Sequence, residues 1–222
     1  IKEYGVNSVR LRLWNNPENV KEANGYCDYA HTLAMAKRIK AHGMSFMLDF
    51  HYSDFWADPG QQNKPLAWKD LSFEKLKEAV FTFTKETLSG LKAEGVLPDV
   101  VQIGNEIRSG LLFPDGELPD YKQMVQLVNA GIKGARAVAD ADEMQVMIHL
   151  DQGGRYFYLK EWFEKSFEAG LDDFDLIGLS YYPFWHGTFS DLKETLTKLL
   201  ADYHKPIMIV ETAHAWRKSA QG

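Results

Sequence analysis

Short apolar runs alternate with longer amphipathic stretches along the whole chain, and a glycine or proline closes most of the latter. The apolar runs predict strands at 6–14, 45–51, 99–105, 144–150, 175–181 and 207–211. The amphipathic stretches predict helices at 28–42, 72–94, 119–140 and 156–169. A fifth helix is predicted after Ser190 as its cap, with Leu192, Leu196, Leu199 and Tyr203 on one stripe. Leu76, Val80, Phe83 and Leu91 form the stripe of 72–94, and Tyr121, Val125, Val128 and Ile132 that of 119–140. Strands that alternate with helices in this way predict a parallel sheet in an α/β fold.

Such a sheet is either open and doubly wound or closed as a (β/α)8 barrel. The Gly-rich phosphate loops that mark nucleotide-binding open sheets are missing. Strand parity points the same way, because side chains alternate between faces. Val9, Leu11 and Leu13 oppose Arg10, Arg12 and Trp14, and Phe46, Leu48 and Phe50 oppose Met47, Asp49 and His51. Val101 and Ile103 oppose Gln102, Gly104 and Glu106; Val146, Ile148 and Leu150 oppose Met147, His149 and Asp151. Ile177 and Leu179 oppose Gly178, Ser180 and Tyr182, and Met208 and Val210 are read as opposing Ile209 and Glu211. One face is therefore apolar, and the other turns polar toward the C-terminal ends. A barrel with a site at its C-terminal mouth produces that pattern, whereas an open sheet covered on both sides wants two apolar faces.

Composition narrows the function classes. With 45% hydrophobic and 25% charged residues, the chain has the make-up of a globular domain. Its net charge of −6 disfavours a nucleic-acid surface, and no apolar run approaches the ~18 residues of a membrane span. A single cysteine, Cys27, excludes an internal disulfide framework and reads as flanking a helix. Met35, Met44 and Met47 are expected in the core. Residues 1–5 read as the last turn of a helix ended by Gly5, without an initiator Met or a leader, and the chain stops just after a strand. Both ends read as cut, so the expectation is a single barrel piece over 1–222.

Two carboxylates stand out. Glu106 and Glu211 each close an apolar run on the inward parity. One such glutamate alone is a solvated strand end or an ion-pair partner. Two on one barrel mouth match the pair of retaining glycosidases, whose carboxyl groups sit about 5–5.5 Å apart.

The motifs carry a resemblance. They are Val9-Arg10-Leu11-Arg12-Leu13-Trp14-Asn15-Asn16-Pro17, His51-Tyr52-Ser53-Asp54-Phe55-Trp56-Ala57-Asp58-Pro59-Gly60, Gln102-Ile103-Gly104-Asn105-Glu106, Ser180-Tyr181-Tyr182-Pro183-Phe184-Trp185-His186-Gly187 and Glu211-Thr212-Ala213-His214-Ala215-Trp216. They resemble the arabinogalactan endo-β-1,4-galactanases of glycoside hydrolase family 53, in the four/seven superfamily of retaining glycosidases. The likeness implies an incomplete (β/α)8 barrel with strands two to seven present and strands one and eight missing. It also implies endo-cleavage of β-1,4-galactan in pectic side chains with retention. Glu106 would protonate the leaving oxygen and Glu211 attack the anomeric carbon. Arg10 or Arg12 would hold Glu211 ionised, with an ion pair behind the site as the alternative for Arg12. His51 and Asn105 would orient sugar hydroxyls or the carboxylates, and Tyr182 would donate to the nucleophile. Trp56, Trp185 and Trp216 lie on loops and suit the apolar faces of sugar rings. His149 and Asp151 join the substrate-binding candidates, while Asp58 and His214 read as polar loop structure.

The remaining expectations concern partners and rivals. Bacterial members of the family can bind calcium in loops near strands seven and eight, mostly beyond this sequence. No zinc or EF-hand motif is present, so no metal or other cofactor is assigned. A polysaccharide substrate places the full-length protein outside the cytoplasm: extracellular, at the cell surface or periplasmic. The rival readings are another four/seven enzyme, a β-mannanase or cellulase, and a non-catalytic carbohydrate-binding barrel.

Overall fold

The structure is a computed structural model and describes residues 1–214; Trp216 lies outside the described residues. The elements in order are β1 (Ser8–Leu13), α1 (Tyr29–Ala41), β2 (Ser45–Phe50), α2 (Phe73–Ala93), β3 (Val100–Ile103), β4 (Gly110–Leu111), β5 (Gly116–Glu117), α3 (Tyr121–Arg136), β6 (Gln145–Leu150), α4 (Tyr156–Glu168), β7 (Leu176–Tyr181), α5 (Pro183–His186), α6 (Phe189–Tyr203) and β8 (Ile207–Thr212). Six strands form one parallel sheet in the order β1-β2-β3-β6-β7-β8, and β4-β5 is a small hairpin. Spatial order equals chain order, so each crossover advances in the same direction, as in an arc of a (β/α)8 barrel.

Two faces of that arc do different work. Phe46, Leu48, Phe50, Val101, Ile103, Val146, Ile148, Ile177 and Leu179 pack with Leu76, Val80, Leu88, Val125, Val128, Phe163 and Leu199 in one buried cluster. Full burial of each such side chain is worth about 1.5–3 kcal/mol, which makes this layer the main stabiliser. On the inner face Met47, Val100, Met147 and Leu176 pack with Val210 as a floor. Above the floor the buried inner residues are polar: Asp49, Gln102, His149 and Ser180. Gly178 belongs to this face, where a Cβ would come 2.4 Å from the Met147 sulfur.

The last strand departs from the expected parity. Met208 pairs with inward Gly178, and Ile209 pairs with outward Leu179 and packs on the helix-side cluster. Met208, Ile209 and Val210 therefore face opposite to the sequence reading. The register then shifts, and Ser180 pairs with Glu211. Val210 is the extra residue of a β-bulge, so Val210 and Glu211 both face inward. A period of two cannot register such an insertion.

Local chemistry explains three smaller corrections. The cap of α6 is Thr188, not Ser190: Thr188 and Asp191 exchange side-chain-to-backbone bonds in a capping box. Three residues beyond Ser190 stands Lys193, which has no acceptor to return. Met44 and Met47 are buried, but Met35 is 38% exposed on α1. Strands β2 and β3 end before His51 and Asn105, which leave the ladder to enter the site. Among the described residues, no helix is long and apolar enough to cross a membrane.

Candidate active site

Arg10 on β1 is the hub of the polar layer. Its Nη1 donates to Glu211 Oε1 at 2.9 Å, and its Nη2 to Asp49 Oδ2 at 2.8 Å and Asn105 Oδ1 at 2.9 Å. Its Nε donates to Gln102 Oε1 at 3.1 Å. Acceptors from three strands or their ends, β2, β3 and β8, thus converge on one guanidinium, whose planar fork suits several acceptors at once. Asp49 is fully buried and also accepts from Gln102 Nε2 at 2.6 Å. Burial alone would raise the Asp49 carboxyl, but Arg10 and His51 outweigh it and hold it below its ordinary value.

Two of the buried histidines, His51 and His149, take their proton positions from backbone donors. The Ala57 N–H donates to His51 Nδ1 at 3.0 Å, so the His51 proton sits on Nε2 and is donated to Asp49 Oδ2 at 3.1 Å. The Glu106 N–H donates to His149 Nδ1 at 3.3 Å, so His149 Nε2 donates to Ser180 Oγ at 2.9 Å. Burial, then Arg10, push His149 down to about 3, which keeps it neutral. Asn105 completes the frame by donating to the Ala57 carbonyl at 2.8 Å.

Glu106 sits just past β3 with φ 48°, in the left-handed region. Gly104, at φ 79°, begins the turn, and a Cβ there would meet Ile107 at 2.5 Å. Burial raises the Glu106 carboxyl to about 7, against the Ser180 hydroxyl bond and with help from Glu211, Asp151 and Asp58. Glu211 lies across the pocket under two donors, Arg10 and the Tyr182 hydroxyl at 3.0 Å from Oε2. Burial, then Glu211, push Tyr182 up to about 12, so it remains a donor. Burial thus keeps one carboxyl protonated near neutrality, while the other accepts from two donors.

Both glutamates line one cavity of about 390 Å³, with Asp58, Pro59, Asp151, Gln152, Tyr182, Trp185 and His186. Arg10, His51, Asn105 and His149 do not line it; Arg10 bonds Glu211 and Asn105, His149 accepts from the Glu106 N–H, and His51 bonds Asp49. Asp151 is fixed by Arg108 Nε at 2.8 Å. Trp185 is 68% exposed at the rim. Trp56 is not in that wall; it packs on Trp14 and His51 and carries the Arg12 guanidinium 3.9 Å from its ring centroid. Arg10 is therefore the arginine on Glu211, and Arg12 is a cation–π partner. The Asp58 carboxylate accepts from Gly60 and Gln61, which shapes its own loop. Sequence reasoning placed Asp49, Gln102 and Ser180 on the inner face without giving them roles. Their signal was a polar residue inside an apolar strand.

Parallel β/α units whose inner face turns polar at the C-terminal mouth, with two carboxylates facing one cavity there, define a (β/α)8 barrel of the paired-carboxylate type. Within that class the chain belongs to glycosyl hydrolase family 53, whose sequence profile matches residues 1–222. A probable arabinogalactan endo-β-1,4-galactanase A of Aspergillus terreus is 40% identical over 218 residues, which is 96% of this chain and 61% of that one. The endo-β-1,4-galactanase of Bacillus subtilis is 39% identical over 224 residues, 97% of this chain and 49% of that one. The GH53 catalytic domain of Ignisphaera aggregans matches with a TM-score of 0.90 at 39% identity, covering 100% of this chain and 61% of that chain. The chain thus spans between 49% and 61% of the length of these relatives.

Proposed function

We propose that the full-length protein is an endo-β-1,4-galactanase that cleaves the galactan side chains of pectic polysaccharides with retention. The observation that carries this reading is the contrast between Glu106 and Glu211 in one cavity. Glu106, protonated up to about pH 7, is suited to give its proton to the leaving glycosidic oxygen. Glu211, aimed by Arg10 and Tyr182, is suited to attack the anomeric carbon. The C–O bond to the leaving sugar breaks as the ester to Glu211 forms. Glu106, now ionised, takes a proton from water, which displaces Glu211 and restores both groups. This chemistry needs no metal or other cofactor. The choice of β-1,4-galactan rests on family membership and on the names of the relatives. A polymeric substrate places the enzyme outside the cytoplasm: extracellular, cell-surface or periplasmic.

The test uses the full-length protein on galactan, mannan and cellulose, with the anomeric configuration of the first product read by NMR. The expected result is cleavage of galactan with a β product. Preference for mannan or cellulose would move the protein to another four/seven activity. An α product would require a carboxyl separation beyond the ~5–5.5 Å of retention and would refute the roles. Binding without cleavage would make it a carbohydrate-binding barrel.

A further inference from the structure

A second cavity of about 390 Å³ adjoins the catalytic one, lined by Arg108, Gln152, Arg155 and Tyr158. Gln152 lines both, so the two cavities flank one side chain. The arginines there are under-used. Arg108 engages only its Nε, on Asp151, and leaves its terminal nitrogens without a hydrogen-bond partner among the described residues. Arg155 acts through space on His186 and Asp191, but its side chain has no ion-pair or hydrogen-bond partner among the described residues. Tyr158, 63% exposed, adds an aromatic face.

Guanidinium forks match planar carboxylates, and aromatic rings match the apolar face of a sugar. A free inorganic anion would use the forks and leave the ring idle. We infer that this cavity is a subsite for a uronic acid residue, a sugar whose carboxylate meets Arg108 and Arg155 while its ring packs on Tyr158. Its side of the cleavage point follows from the chain. Arg108 stands two residues beyond Glu106, which faces the leaving oxygen, and Glu211 lines only the neighbouring cavity. The subsite therefore belongs to the leaving half of the glycan. The inference rests on the glycosidase reading above.

The test compares two galacto-oligosaccharides with the same scissile bond. One ends in galactose on the leaving side; the other is oxidised at C6 of that residue to the uronate. With the full-length protein, kcat/KM for the uronate is expected to be about tenfold higher, falling toward parity as salt screens the charges. Arg155→Ala should abolish the preference and leave cleavage of the neutral substrate within about twofold, while Arg155→Lys, which keeps the charge without the fork, should retain part of it. Equal kcat/KM for both substrates would overturn the inference. So would inorganic phosphate binding at Arg155 without any uronate preference, which would leave an anion site unrelated to glycan. Failure of the galactanase reading looks different, because the neutral substrate would then go uncut by the unmodified protein.

Discussion

Replacing Glu106 with Gln should stabilise the protein, and only at high pH. Burial holds this carboxyl at about 7 in the folded state, against an ordinary value of 4.5. The ionised form is thereby disfavoured in the fold by about 3 kcal/mol. Below about 4.5 the group is protonated in both states and contributes nothing. Between about 4.5 and 7 the folded state keeps a proton that the unfolded chain has lost, so stability declines as pH rises. Above about 7 the whole penalty is present. Glutamine keeps the shape and the hydrogen bonding to Ser180 but carries no charge, so it is free of the penalty at every pH. Urea unfolding of full-length protein and variant, from about pH 4 to about pH 8, reads the difference directly. The variant should gain about 3 kcal/mol on the parent across that range. That is a large share of a domain's ~5–15 kcal/mol. A flat difference, or one that favours the parent at high pH, would refute the assignment of Glu106 as the carboxyl kept neutral by burial. The same residue would also set the alkaline limb of kcat/KM near pH 7.

Ser180→Ala removes the hydroxyl bond that pulls Glu106 down, so the alkaline limb of kcat/KM should move to higher pH; a limb that stays put or falls would exclude a bond to Glu106. Asp49→Ala leaves the Arg10 charge buried beside Gln102 and His51 with a main counter-ion gone, and denaturation should show a loss of about 3–5 kcal/mol. Gly178→Ala sets a methyl 2.4 Å from the Met147 sulfur, and overpacking of the floor should lower stability by about 1–3 kcal/mol with KM little changed.

How far the sequence could be read depended on the range of the interaction. Local signals served for the helices themselves, whose apolar stripes in α2 and α3 face the sheet, but not for the cap of α6, where Ser190 and Thr188 offer the same hydroxyl and only Asp191 three residues on decides for Thr188. The alternation of β2, β3, β6 and β7 located the polar layer because those strands keep a strict pleat. It failed on β8, where one inserted residue inverts the count between Ile209 and Glu211. The choice between Arg10 and Arg12 was also beyond it. Both share a parity, and only the three-dimensional neighbourhood sends one to Glu211 and the other onto Trp56. The bonds of Asp49 reach residues 39, 2 and 53 positions away, a convergence no spacing rule encodes.

The bulge in β8 separates two tasks within one strand. Below it Ile209 answers to the helices; above it Glu211 stands in register with Ser180 and faces the cavity. A bulge absorbs one residue without displacing the paired residues that flank it. The strand can therefore gain or lose its extra residue at Val210 while Ile209 keeps the helix side and Glu211 the pocket, so the floor contact of Val210 is the part of β8 most open to change.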